Sequence, residues 1–112
     1  MLGVHLIIDG VLLHSVDMDV GRRILSELPA LVGMKVLAGP YVVEGVPENP
    51  GWTGFVIIDK SHISIHTFYE GNGVSVDVFS CKTFDEEIVV RYLKEHLPFK
   101  KLNTRMLERS EE

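Results

Sequence analysis

The stretch "DKSHISIHTFYEGNGVSVDVFSC", Asp59 to Cys81, decides how this chain is read. Side chains alternate along a strand. From Ser61 onward, Ile63, Ile65 and Tyr69 therefore share one face, and His62, Ser64, His66, Phe68 and Glu70 share the other. Beyond "EGNG" the alternation resumes, with Val74, Val76 and Val78 apolar and Ser75, Asp77, Phe79 and Cys81 mixed. Two strands joined by Gly71-Asn72 or Asn72-Gly73 as a two-residue turn form a β-hairpin. The first turn sets His66 opposite Asp77 and His62 opposite Cys81; the second sets Cys81 opposite Ser64 and His66 opposite Phe79. Either register gathers Ser61, His62 and Cys81 at the open end of the hairpin.

Working outward, the spacing predicts a strand over 2–8 and a helix over 18–32 that carries Val20, Ile24, Leu25, Leu28, Leu31 and Val32 on one side. Pro29 predicts a kink or an end near Leu28, with Gly33 closing the helix. A strand follows at about 35–45, then the loop "GVPENPGWTG" (Gly45 to Gly54), then strands at 53–59, 61–69 and 74–81. "TFDE" (Thr83 to Glu86) has the spacing of a capping box, and the helix it opens stops at Pro98. A last strand occupies 99–108. The expected fold is α+β: one domain over 1–112, a two-layer sandwich of an antiparallel sheet with two helices on one face. The other face of that sheet is bare unless a second chain covers it.

Composition narrows the function. With 112 residues, 46% hydrophobic and 24% charged, the chain can bury one core. A net charge of −5 argues against a nucleic-acid partner, which calls for a basic stripe. No run approaches the ~20 apolar residues of a membrane span, and "MLGVHLIIDGVLL" lacks the basic start of a signal peptide, so the expected location is the cytoplasm. Cys81 is the lone cysteine, which excludes an internal disulfide and a multi-cysteine zinc site. His62 and His66 stand roughly 13 Å apart along a strand, too far to share a metal, so no metal is expected.

Taken singly, these residues are ordinary. Ser61 suits a strand bend, Cys81 a small buried apolar position, and His66 with Asp77 a structural pair. Their combination is not ordinary. "KSHISIHTFYE" followed by "DVFSC" resembles the core of the prokaryotic pyruvoyl-dependent S-adenosylmethionine decarboxylases, whose pattern runs approximately E-S-H-[LI]-[ST]-I-H-T-W-P-E and then D-L-F-T-C. The resemblance is strongest over 53–81. It implies that the Ser61 hydroxyl attacks the Lys60 carbonyl, that the chain is cut into 1–60 and 61–112, and that the serine remnant becomes a pyruvoyl group. That group would form a Schiff base with the substrate amine and act as an electron sink. His66 is then the proton acceptor in processing, Thr53 its support, Cys81 the proton donor to the product carbon, and Glu70 the carboxylate holding the substrate's ribose. His62 and Asp77 also match family positions. The family's homodimer would cover the bare sheet face, and its product is the aminopropyl donor of polyamine synthesis.

Three positions depart from the pattern. Lys60 replaces a glutamate before the cleavage serine, reversing a charge beside the reacting bond. The loop before Gly54 lacks the aromatic residue that stacks on adenine, leaving Trp52 as its expected substitute. "FYE" stands for W-P-E. The alternatives are a pyruvoyl decarboxylase of arginine or ornithine, and an uncut homologue acting as a dimeric binding or regulatory module.

Overall fold

The alternation along the hairpin is realised as burial on one side of a sheet. In the computed structural model, which describes residues 1–112, Ile63, Ile65, Val74, Val76 and Val78 all face a core that also holds Leu6, Ile8, Val56 and Ile58. Each such fully buried side chain contributes about 2 kcal/mol of transfer free energy. The elements in chain order are β1 (Gly3–Leu12), α1 (Met18–Leu31), β2 (Val36–Glu44), β3 (Trp52–Ile58), β4 (Ser61–Phe68), β5 (Gly73–Ser80), α2 (Glu86–His96) and β6 (Phe99–Arg109). The strands form one six-stranded sheet in the order β2-β3-β4-β5-β1-β6, antiparallel throughout. Helix α1 packs on β2, β3 and β4 and against α2. Ile24, Leu25 and Leu28 of α1 and Val89 and Leu93 of α2 close the core from the same side. The expected α+β sandwich is the observed one. No helix is long and apolar enough to cross a membrane.

Four local expectations fail for identifiable reasons. Strand β1 runs on to Leu12 because Asp9 and Gly10 stay inside it. A Cβ at Gly10 would lie 2.7 Å from the Lys101 carbonyl and 2.8 Å from the Phe99 ring, so glycine here permits close approach rather than a break. Helix α1 passes Pro29 and ends at Leu31. Its last turn is tightened by bonds from the Val32 and Met34 amides to the Pro29 carbonyl at 3.1 and 3.0 Å, and Gly33 at φ +74° ends it. Helix α2 is capped by Asp85, which accepts from the Glu87 amide at 2.9 Å, and Thr83 lies outside the cap.

The fourth failure matters most. Phe68 pairs with Gly73, so the β4–β5 loop has four residues, Tyr69 to Asn72, with a 3-10 turn at Glu70–Asn72. Tyr69 is held away from the ladder by its amide bond to the Pro50 carbonyl (3.0 Å) and its hydroxyl bond to the Val16 carbonyl (3.2 Å). Both expected registers are therefore wrong. His62 faces Phe79, Ser64 faces Asp77 and His66 faces Ser75.

The two helices are joined at their outer surface by Tyr92, whose hydroxyl donates to Glu27 at 2.6 Å. That bond holds the Glu27 carboxyl below the usual range, while partial burial, and then the Glu27 charge, push the Tyr92 phenol above its ordinary 10.0. The folded chain thus keeps a phenol proton that the unfolded chain releases near pH 10, so Tyr92 stabilises fully below that pH and progressively less above it. Denaturant titrations across pH 9–12 should show stability falling above about pH 10; Tyr92→Phe should flatten that part of the slope.

Candidate active site

Ser61 opens β4 immediately after a two-residue turn, because Ile58 and Ser61 pair across it. Within the turn Lys60 adopts φ +52°, a left-handed conformation that costs a residue with a Cβ about 1–2 kcal/mol. The strained residue thus precedes the Lys60–Ser61 peptide bond. Ser61 itself is buried. Its Oγ donates to the Asp59 carbonyl and accepts from the Cys81 amide, each at 2.9 Å. The Cys81 thiol also donates to the Asp59 carbonyl, at 3.4 Å. The sequence-based expectation that Ser61 and Cys81 meet at the hairpin's open end therefore holds, although the register that suggested it does not.

His66 and Thr53 face each other across β3 and β4, with Thr53 Oγ1 and His66 Nδ1 in a 2.9 Å hydrogen bond. They line a cleft of about 150 Å³ with Val46, Asn49 and Phe68. Glu70 lies exposed in the loop just beyond. Ser61 and His66 are five steps apart along the strand, roughly 16 Å. The two side chains also leave the sheet on opposite faces, Ser61 toward the helices and His66 toward the bare side. The site residues thus fall into two groups at the two ends of β4: Ser61 with Cys81, and His66 with Thr53 and Glu70.

Trp52 takes a different place from the one expected. It is 1% exposed, lies under α1 where its ring excludes any side chain from Gly21, and donates Nε1–H to the Val16 carbonyl at 2.9 Å. It is a core residue with no face free for a ligand. His62 is exposed and tilted against Phe79, ring centroids 5.8 Å apart. Asp77 bonds to His5 Nε2 at 2.9 Å. That pairing was invisible in the sequence, since His5 comes from β1, 72 residues away.

Between the two groups the outer face of β4 and β5 carries His62, Ser64, Ser75 and Asp77, and the exposed apolar side chains of that uncovered face lie mainly over β2 and β3. Tyr41, Val43, Phe55, Ile57, Phe68 and Leu107 are all exposed on it, Val43 at 61%. An exposed apolar face of this extent marks an interaction surface.

Residues 5–110 match the family model for S-adenosylmethionine decarboxylase. The chain belongs to that family. Among curated S-adenosylmethionine decarboxylase proenzymes, that of Oceanobacillus iheyensis is 37% identical over 71% of this chain and 79% of its own. That of Clostridium botulinum strain Langeland is 45% identical over 60 residues, 53% of this chain and 52% of the relative. The matched stretch thus spans about half the length of the clostridial relatives. The crystal structure of the adenosylmethionine decarboxylase from Aquifex aeolicus superposes with a TM-score of 0.74 at 26% identity, covering 99% of this chain and 95% of that one.

Proposed function

We propose that this chain is a self-processing, pyruvoyl-dependent S-adenosylmethionine decarboxylase whose catalytic centre is built from two copies. The carrying observation is the separation of the site residues. Ser61 with Cys81 and His66 with Thr53 lie at opposite ends of β4, in a sheet whose outer face no helix covers and which exposes apolar side chains over β2 and β3. A twofold pairing of such faces, about 10 Å apart, carries the His66 end of one chain toward the Ser61 end of the other.

The surroundings of Ser61 fit a group made from it. In the reading proposed here, Ser61 Oγ attacks the Lys60 carbonyl carbon and the peptide bond becomes an ester. His66 of the second copy takes the Ser61 α-proton, the Lys60 carboxylate leaves, and water replaces the nitrogen as ammonia departs. In the tautomer whose Nδ1–H donates to Thr53 Oγ1, Nε2 of His66 keeps the lone pair that this step needs. The attack uses a backbone carbonyl, so lysine at 60 does not forbid it, and the left-handed Lys60 adds strain that cleavage releases. The pyruvoyl group supplies a carbonyl that takes up an amine and withdraws electrons as carbon dioxide leaves. Cys81, beside residue 61, returns a proton to the product carbon. Glu70 of the second copy, exposed in the loop that follows β4, accepts hydrogen bonds from the ribose hydroxyls. The relatives' proenzyme names support a precursor that is cut, and the product would be the aminopropyl donor for polyamine synthesis.

The intact mass of the purified protein under denaturing conditions tests this reading. Two pieces are expected, 1–60 and a 61–112 fragment with a blocked N-terminus. A single full-length chain after long incubation would overturn it in favour of a binding or regulatory module. Carbon dioxide release from S-adenosylmethionine, arginine and ornithine, compared on the cut protein, then tests the substrate.

A further inference from the structure

Ser80 ends β5 and is completely buried, in line with Val76 and Val78 of the core. A hydroxyl among valines costs free energy unless it is bonded. This one is fully used within two residues. Its Oγ donates to the Lys82 carbonyl at 2.6 Å and accepts from the Lys82 amide at 3.2 Å, folding the backbone around Cys81. Lys82 is tied in turn: its Nζ donates to the Gly33 carbonyl at 2.8 Å, at the C-terminal end of α1, where the helix dipole favours a cation. Cys81 is thereby fixed from both neighbours. Its amide meets Ser61 Oγ and its thiol points to the Asp59 carbonyl.

We infer that Ser80 and Lys82 are positioning residues, a clamp that holds the Cys81 amide on Ser61 Oγ in the uncut chain and the Cys81 thiol beside residue 61 in the cut one. The inference rests on the roles proposed above for Ser61 and Cys81. A buried serine at a strand end adds nothing to the core that alanine would not supply, so its geometry serves the turn that follows it. Misplacing a reacting group by about 1 Å costs on the order of 100-fold in rate.

The test compares wild type, Ser80→Ala, Ser80→Thr, Lys82→Met and Cys81→Ala, each alone, and Ser80→Ala combined with Cys81→Ala. Cleavage is followed by intact mass, and kcat and KM by carbon dioxide release, normalised to cut chains. Ser80→Ala should slow cleavage and lower kcat by about 10-fold to 100-fold with KM unchanged, and Ser80→Thr should restore both. In the Cys81→Ala background, Ser80→Ala should lower kcat no further, because its effect on turnover passes through the thiol. An equal loss in that background, or no loss from Ser80→Ala alone, overturns the clamp. Should Ser80→Ala not fold, Lys82→Met, altered at an exposed side chain, carries the same test, and full kcat there overturns it. An uncut wild type would end the functional reading but not this one. The clamp is then read in the rate at which iodoacetamide alkylates Cys81, which Ser80→Ala should raise severalfold and Ser80→Thr restore; an unchanged rate overturns it.

Discussion

Ser61→Ala is expected to remain one full-length chain and to release no carbon dioxide from any of the three candidate substrates. In the proposed reading the effect is total because the hydroxyl is both the attacking group and, once acylated, the group whose elimination lets a carbonyl form at residue 61. The folded structure should survive the change. Ser61 has a small, buried side chain at the start of a strand that six residue pairs tie to β3. Loss of its bonds to Asp59 and Cys81 costs about 1–3 kcal/mol, and the Cys81 amide sits in a partly exposed turn where water can reach it. Thermal unfolding and intact mass on the same sample separate the two effects. A folded variant that is nonetheless cut would sink the assignment of Ser61.

His66→Ala alone should slow the cut by about 100-fold to 10,000-fold, the span over which a lost proton acceptor acts. The informative experiment is to co-express it with Ser61→Ala. If each centre takes Ser61 from one chain and His66 from the other, a mixed dimer holds one complete centre and one doubly defective centre. The His66→Ala chains should then be cut, although neither variant is cut at the normal rate by itself. Distinguishable tags identify which chain yields the fragments. A centre confined to one chain predicts no rescue, and that result would remove the two-copy arrangement while leaving Ser61 in its role. The separation of roughly 16 Å along β4, on opposite faces, is why rescue is the expected result.

Much of this was legible in the sequence because it depends on local alternation. The period-two burial of β4 and β5 follows directly from Ile63, Ile65, Val74, Val76 and Val78. The open face followed from the same pattern, since two helices cover one side of a sheet. What escaped was set by contacts remote in sequence. The hairpin register depends on Tyr69 being held by Pro50 and Val16, and no feature of "EGNG" announces that. Trp52 looked available for a ligand beside a Pro- and Gly-rich loop, yet Gly21 of α1 makes room for its ring in the core. His5 took the place expected of His66 at Asp77 because β1 lies beside β5. The clamp residue Ser80 did leave a signal, as the serine of "DVFSC", but its bonds to Lys82 belong to three-dimensional structure.

The strand order would give the proposed cut a particular character. Residues 1–60 supply β1, β2 and β3, and residues 61–112 supply β4, β5 and β6. Strand β1 is inserted between β5 and β6, so the two pieces are woven into one sheet rather than set side by side. Three of the five seams in the sheet, β3–β4, β5–β1 and β1–β6, would join one piece to the other. Severing the backbone would therefore leave a stable two-chain molecule. Its recovery from denaturant would become a second-order reaction, dependent on concentration in a way the uncut chain's folding is not, so that the protein could assemble readily once and afterwards only when its fragments find each other.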